Sequence, residues 1–283
     1  MCYNTGNITC SSDSSNGDWL YLAGVANAKS VSYCYNTGNI ETNNMANCYI
    51  GGVSGVGCSS IGYSNNSGNI TVNGVNDGYI AGILTYSYSY PSDSLVSSSY
   101  NTGNIDVTRV DNSSESLYIG GILGLYSENS QINYSYNTGD IKYTKGNLSS
   151  TNTYIGGIAG CVAATMPYCY NTGDIEIIDN STEECDDTLY VGGLIGKTDS
   201  GIYNSYNSGN IYDGSKYESD KYHVGAIFGE ATNKSQIQEQ IVFYPESTVL
   251  VSKNLVDETE YAVSERKLKS DEYFARLGGT GAK

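Results

Sequence analysis

The sequence predicts an all-β protein, a parallel β-solenoid (β-helix) of about seven repeats of about 34 residues with a small C-terminal cap that contains one helix. Three observations predict this fold. One short phrase recurs along most of the chain at a nearly constant interval, and a second phrase recurs between its copies. The third is composition: the 283 residues include 34 Gly, 28 Tyr and only 3 Pro, and 16% are charged, which is typical of short strands joined by polar turns.

The first phrase is Tyr-Asn-Thr/Ser-Gly-Asn/Asp-Ile. Its first Asn recurs with gaps of 32, 30, 35, 36, 34 and 36 residues, at Asn4, Asn36, Asn66, Asn101, Asn137, Asn171 and Asn207. The phrase contains residues that tolerate or require a positive φ, so we expect it to bend the chain sharply and the Ile after it to begin a strand. In stacked coils like side chains would lie about 4.8 Å apart, so Asn amides could bond along the stack and Tyr rings could stack on each other.

The second phrase is Tyr-Ile/Val-Gly-Gly-Ile/Leu/Val, at residues 49–53, 118–122, 154–158 and 190–194, with looser versions at 21–25, 79–83 and 223–227. Strict alternation of buried and exposed residues fails there, because Ile119 and Ile122 are of opposite parity. We expect a bulge or corner near the two glycines, whose missing side chains allow backbones to approach closely. Each repeat is too small to bury its own face, so neighbouring coils must stabilise one another.

The repeat pattern decays near residue 235, which divides the chain into repeats (residues 1–235) and a C-terminal strand and helix cap (residues 236–283). Residues 241–244 and 248–251 read as strands. Residues 265–277 read as a helix that begins after Ser264 as its N-cap.

The net charge of −16 and the pI near 4.2 oppose binding to nucleic acid or to anionic membranes, since both depend on Lys and Arg. No apolar run reaches the 18 or more residues of a membrane span, and no signal peptide follows Met1. The chain opens in the middle of a repeat. Solenoids need polar caps, so we expect a fragment of a longer protein that continues end to end with further repeats upstream.

No residue pattern predicts catalysis, a metal or a cofactor. The single histidine, His223, stands where other copies carry Tyr, and the sequence shows no catalytic or metal-ligating partners for it. The densest acidic run lies in the longest loop between phrases and is interpreted as a solvated loop: Asp179, Glu183, Glu184, Asp186 and Asp187. Calcium-binding spacings do not occur in it.

Cys2 and Cys34 fill the same slot in neighbouring coils. If the coils stack, their Cα atoms would lie about 4.8 Å apart, inside the window of about 4.4–6.8 Å for a disulfide. A disulfide is therefore permitted there, and buried free thiols are the favoured alternative.

The tyrosine rows are the best binding candidates, because exposed aromatic rows can stack on sugar rings or face another protein. The candidate ligand-facing row is Tyr35, Tyr100, Tyr136, Tyr170 and Tyr206. The alternative is that these rings point inward or only stabilise the stack.

The two phrases resemble the bacterial GLUG-motif repeats, whose Gly-Leu-x-Gly core is read in residues 121–124, 157–160 and 193–196. The resemblance covers most of residues 1–235. It implies a β-solenoid from extracellular or cell-surface proteins of gut and oral bacteria, including regions beside the catalytic domain of M26-type immunoglobulin A peptidases. The chain has no His-Glu-x-x-His, so peptidase activity is not carried over.

We therefore expect a non-enzymatic structural or adhesive module of a bacterial surface or secreted protein, with host glycans or proteins as partners. One alternative is a polysaccharide-active β-helix enzyme, a lyase or a glycosidase. A repeat region accessory to a peptidase and a decayed gene fragment are further alternatives.

Overall fold

The computed structural model describes residues 1–12, 19–87, 94–110, 115–126, 130–163, 165–216, 220–232, 242–252, 255–258 and 261–264. Across these ranges short parallel strands stack into a β-solenoid of about six turns, which confirms the predicted fold class. The described ranges contain no α-helix. The helix predicted over residues 265–277 lies outside them.

Each full turn passes through five sheets, which we number in the order in which the chain meets them. Sheet 1 carries the first phrase, in strands Tyr3–Asn4, Tyr35–Asn36, Asn65–Asn66, Tyr100–Asn101, Tyr136–Asn137, Tyr170–Asn171, Ser205–Asn207, Val242–Pro245 and Ala262–Val263. Sheet 2 begins at the Ile that follows, in strands Ile8–Ser11, Ile40–Asn43, Ile70–Val75, Ile105–Arg109, Ile141–Lys145, Ile175–Asp179, Ile211–Gly214 and Leu250–Val251. The two strands predicted after residue 235 thus extend sheets 1 and 2.

Sheet 3 carries the second phrase, in strands Trp19–Ala23, Asn47–Gly51, Asp77–Ala81, Leu117–Gly120, Asn152–Gly156, Thr188–Gly192 and Tyr222–Gly225. Sheet 4 follows the Gly-Gly corner, in strands Ser54–Val56, Leu84–Ser87, Leu123–Tyr126, Ala159–Val162, Ile195–Thr198 and Phe228–Ala231. Sheet 5 leads back to sheet 1, in strands Ser30–Ser32, Ser60–Gly62, Ser94–Ser97 and Ser130–Asn133. A bridge from Gln131 to Thr165 continues it toward the paired strands Met166–Pro167 and Ile202–Tyr203.

The core consists of two columns of buried aliphatic side chains that run along the solenoid. One lies between sheets 2 and 3 and is built from residues such as Ile105 and Ile119, and the other lies between sheets 4 and 5 and includes Ile122 and Ile132. Ile119 and Ile122 flank the Gly-Gly corner and are both fully buried, which confirms the predicted corner. The opposite parity of these residues arises because each one faces a different column.

A row of fully buried asparagines, the inner Asn row, runs through sheet 1 between the two columns: Asn36, Asn66, Asn101, Asn137, Asn171 and Asn207. From the partly exposed Asn4 through Asn171, each amide nitrogen donates to the side-chain oxygen of the next Asn at 2.7–2.9 Å. It also donates to the carbonyl two residues ahead, as Asn137 Nδ2 does to Gly139 O at 2.7 Å. The predicted amide bonding along the stack is confirmed.

The glycine of the first phrase has a different role from the one we predicted. Its φ lies outside the left-handed region at every copy, so positive φ does not make this turn. The glycine is required because coils stack there without side chains: a Cβ on Gly139 would lie 2.1 Å from the carbonyl oxygen of Gly103. The second glycine of the other phrase is equally constrained, since a Cβ on Gly121 would lie 2.4 Å from Cγ of Asn137.

The left-handed residue of each coil lies instead at the corner between sheets 5 and 1, three positions before the buried Asn. It has φ between 48° and 58° at Tyr33, Tyr63, Ser98, Tyr134, Tyr168 and Asn204. Its backbone N–H donates to the next coil, as Tyr63 N does to Ser97 O and Ser98 N to Asn133 O. The strain of a non-glycine residue in this region is therefore repeated in register along one edge.

Candidate binding surface

The row predicted from the first phrase lies in register on sheet 1. Tyr100, Tyr136, Tyr170 and Tyr206 stack with ring centroids 4.7–5.2 Å apart, and Phe243 continues the stack. Tyr35 stacks on Tyr3 at 5.1 Å, but Asn65 stands between Tyr35 and Tyr100 in the register. The predicted single row is therefore two stacks separated by one asparagine, and its ligand-facing role remains a prediction.

A longer row, not singled out from the sequence, lies on sheet 3. Consecutive ring centroids are 4.5–5.1 Å apart and the planes differ by at most 14°, through Tyr21, Tyr49, Tyr79, Tyr118, Tyr154, Tyr190 and His223. The Tyr that opens every close copy of the second phrase was the available signal. His223 thus stacks on Tyr190 as the last ring of this row.

A third row, the corner row, lies at the left-handed corner between sheets 5 and 1. Tyr33 stacks on Tyr63 at 4.9 Å and Tyr134 stacks on Tyr168 at 4.8 Å, each pair with planes 4° apart. Ser98 occupies the coil between the two pairs. Three tyrosines of this row are well exposed, at 60% for Tyr33 and 58% for both Tyr63 and Tyr134.

Parallel stacking decides what these rows can offer to a ligand. Inside a stack each ring covers the faces of its neighbours, so the ring edges and hydroxyl groups face solvent and the faces do not. The packing is tight enough that burial, followed by the charges of neighbouring tyrosines, raises the pKa of Tyr170 to about 12 and also raises that of Tyr79. The ring edges and hydroxyl groups of these rows therefore lie in regular lines along the solenoid.

Cys2 and Cys34 are both free thiols in the structure, and the disulfide that their shared slot permits stays a prediction. Cys34 is buried and Cys2 is exposed. They do share a slot, since Cys2 N donates to Cys34 Sγ at 3.3 Å. Further along the same slot, burial raises the pKa of Cys169 to about 12, which makes its thiol a poor nucleophile.

An outward row of Asn and Asp, the outer Asx row, marks the start of sheet 2. Each side-chain Oδ1 accepts the backbone N–H of the next member at 2.7–3.0 Å, along Asn7, Asn39, Asn69, Asn104, Asp140, Asp174 and Asn210. Asp140 and Asp174 border a shallow groove of about 390 Å³ that also contains Asp106, Lys142 and Glu176. The groove carries both negative and positive side chains, and its lysine is paired, since Lys142 Nζ lies 3.6 Å from Asp106 Oδ2.

No known family, curated protein or solved structure matches this chain. The GLUG resemblance therefore remains a prediction. Within the described ranges no three His, Cys, Asp or Glu side chains lie together in a way that could hold a metal ion. In the same ranges we find no helix with the length and apolarity needed to cross a membrane.

The acidic loop is not simply solvated, which corrects the interpretation of that run. Glu183, Glu184 and Asp186 are exposed, but Asp179 is 6% exposed and Asp187 only 1%. Asp179 accepts bonds from Ser181 and from the backbone N–H of Lys216. Its pKa is lowered because these hydrogen bonds outweigh burial, the largest single effect, which acts in the opposite direction. Buried acids at the loop ends therefore help to close the corner between sheets 2 and 3.

A buried ion pair occupies this corner. Lys145 Nζ lies 3.0 and 3.1 Å from the carboxylate oxygens of Asp187, and both side chains are 1% exposed. The hydroxyl of Tyr222 donates to Asp187 at 2.7 Å and contacts Lys145. One coil earlier Arg109 takes the same place and donates to the hydroxyls of Thr151 and Thr153 at 2.9 Å. The sequence did not reveal these partners, because they lie up to 77 residues apart along the chain.

Lys145→Met lowers the free energy of unfolding by about 3 kcal/mol, since it leaves Asp187 buried without its cation. Lys142→Met is the matched control on the same strand. Its ion pair is 41% and 44% exposed, and we expect a loss of at most about 1 kcal/mol. Urea unfolding of both variants measures the difference. Equal losses would show that the Lys145 pair is not buried as described.

Asp77→Asn stabilises the protein at pH 7.5 and has no effect near pH 3.5. Burial, followed by the charge of Glu115, raises the pKa of Asp77 to about 6, against the opposing charge of Arg109. The folded state therefore holds this proton more tightly than the unfolded state. The stability that Asp77 contributes is lost as the pH rises through about 6. Melting temperatures at both pH values test this, with Asp199→Asn at an exposed position as control, and an Asp77→Asn effect that is independent of pH would contradict it.

Proposed function

We propose that this chain is a non-enzymatic structural and adhesive module of a bacterial surface or secreted protein. The observation that carries the proposal is the regular display of tyrosine rings on sheets 1 and 3, each in register over several coils. Surfaces with such regular rows of hydroxyl groups suit a binding partner whose own groups repeat along its length. Host glycans or glycoproteins offer that kind of repeating hydroxyl and amide pattern.

The physical support is rigidity and surface chemistry. The inner Asn row and the glycine contacts tie each coil to the next, which suits a stalk that bears load. The tyrosine hydroxyls can both donate and accept hydrogen bonds. The acidic net charge of −16 limits non-specific adhesion to anionic surfaces.

Adhesion is tested by measuring binding of the chain to immobilised mucin and to the same mucin after removal of its glycans. We expect binding to the glycosylated form only. Replacing Tyr136 and Tyr170 together by Phe removes two hydroxyls and keeps the stacking, so we expect weaker binding with an unchanged melting temperature. Absence of binding to either surface would contradict the adhesive role.

A polysaccharide-active enzyme is the second candidate, favoured by the groove between Asp106, Lys142 and Glu176. Asp140 and Asp174 lie one coil apart at its edge, and paired carboxylates are what glycoside hydrolysis requires. Incubation with acidic and neutral polysaccharides, followed by assay of new reducing ends and unsaturated products, separates the two functions. Activity abolished by Asp140→Asn with Asp174→Asn would favour the enzyme. The fold tolerates this change, because Asn104 and Asn210 hold the same slot.

A further inference from the structure

The corner row is interrupted at one coil. Tyr63, Ser98 and Tyr134 occupy the same left-handed position in three consecutive coils, with φ of 51°, 48° and 48°. The first and last carry rings that stack on Tyr33 and Tyr168 respectively, on the sides away from Ser98. The inner faces of Tyr63 and Tyr134 therefore look toward each other across the small side chain of Ser98.

The width of this gap is fixed by the stack. Neighbouring coils lie about 4.8 Å apart, so two coils separate the rings of Tyr63 and Tyr134 by about 9.6 Å. The filled pairs of the corner row show the spacing of one ring on the next, 4.9 and 4.8 Å. A gap of twice that distance admits one further ring in contact with both faces. Both tyrosines are 58% exposed, so the gap is open to solvent.

The residues around the gap indicate which kind of ligand ring would bind in it. Residues 60–67, 94–102 and 130–138, which form the corner in these three coils, contain no charged side chain and are rich in Ser, Asn and Tyr. A sugar ring has apolar C–H faces that pack on aromatic faces and hydroxyls at its rim that bond to hydroxyl and amide groups. A charged ring would find no counter-ion in these segments.

We propose that the gap at Ser98 is a binding slot for one neutral pyranose residue of a glycan, held between the faces of Tyr63 and Tyr134. This inference rests on the proposed adhesive function and names the position at which ring faces, rather than ring edges, meet the ligand. The gap at Asn65 in sheet 1 differs, because a planar amide already occupies the coil between Tyr35 and Tyr100.

The test uses the full chain and neutral hexasaccharides of glucose, galactose and mannose, with binding followed by NMR titration. At least one binds, and its C–H protons shift upfield under the ring currents of Tyr63 and Tyr134. Ser98→Tyr fills the slot with a residue that this corner already accommodates, and we expect affinity to fall by about ten-fold or more while the melting temperature is kept or raised. Asn204→Tyr is the matched control, because it extends the same row beyond Tyr168 and leaves the slot open.

Each other outcome overturns the slot. If Ser98→Tyr, Tyr63→Leu or Tyr134→Leu binds the sugar with the affinity of the wild type, the sugar binds elsewhere on the chain. The adhesive function still stands in that case if mucin binding persists. Stronger binding of oligogalacturonate than of the neutral sugars rejects the neutral ligand. A dimer that Ser98→Tyr dissociates would assign the slot to a second copy of the chain. No binding of any sugar or of mucin rejects both proposals together.

Discussion

Gly139→Ala lowers the free energy of unfolding by more than about 4 kcal/mol, or prevents folding. The added Cβ would lie 2.1 Å from the carbonyl oxygen of Gly103 and 2.6 Å from its carbonyl carbon. Both atoms belong to the backbone of a coil that is hydrogen bonded on its two sides, so neither can move away cheaply. Overpacking at such a point costs more than the 1–3 kcal/mol of an ordinary core position. Denaturant unfolding of the purified variant measures the loss.

Gly6→Ala is the matched control for Gly139→Ala. Gly6 occupies the same place in the first phrase, but the nearest atom to its added Cβ is Asn4 Oδ1 at 3.8 Å. Its φ is outside the left-handed region, so we expect a change within about 1 kcal/mol, with stabilisation favoured by the lower entropy of the unfolded chain. Similar losses for both variants would mean that close stacking is not the reason for this glycine.

Asn137→Asp lowers the free energy of unfolding by about 5 kcal/mol at pH 8. Asn137 Nδ2 donates to Gly139 O at 2.7 Å and to Asn171 Oδ1 at 2.8 Å, in a fully buried position. A carboxylate has no donor, so the change sets an anion against two oxygens without access to water. Protonation restores one donor, and we therefore expect the loss to be smaller at pH 4. Unfolding at both pH values tests the magnitude and the direction.

Asn104→Asp is the matched control for Asn137→Asp, in the outer Asx row. Only Oδ1 of Asn104 is used in the row, as the acceptor of Asp140 N–H at 3.0 Å, and a carboxylate accepts that bond equally well. We expect a change within about 1 kcal/mol, because the position is exposed and the nearby Asp140 adds only screened repulsion. A large loss at this position, or none at Asn137, would contradict the account of the two rows.

The difference between the two rows explains the residues of the first phrase. Its first Asn position, in the inner Asn row, must donate hydrogen bonds, whereas the position in the outer Asx row only accepts one and is therefore Asn or Asp. Stacking and amide bonding could be predicted from the sequence, because the phrase recurs at nearly constant intervals. The sequence also predicted the Gly-Gly corner from the parity of Ile119 and Ile122. It did not reveal that the first-phrase glycine serves close contact, since Gly next to Asn is equally typical of a positive φ turn.

Other features depend on which loop lies over which coil, and a repeat pattern does not contain that information. The pairing of Lys145 with Asp187 joins the end of one sheet 2 strand to a loop one coil later. The left-handed corner was missed because its residue is usually Tyr, which has no preference for positive φ. The gap at Ser98 became visible only when that corner placed Tyr63 and Tyr134 in one row.

The in-register stack is tested most directly by a disulfide between positions one coil apart. Ser135 and Cys169 are neighbours in one slot directly before the strands of sheet 1, where the Tyr170 N–H donates to Ser135 O. In the same slot the Ser99 N–H donates to Ser135 Oγ and the Cys169 N–H to Ser205 Oγ. The Ser135→Cys variant contains nine thiols, one more than the eight of the natural chain. After oxidative folding we expect a peptide map to show a link to Cys169, because the Cα separation of about 4.8 Å lies within bridging range. Ser99→Cys, two coils from Cys169, should show no such link. A link from position 99 to Cys169 and none from position 135 would contradict the register.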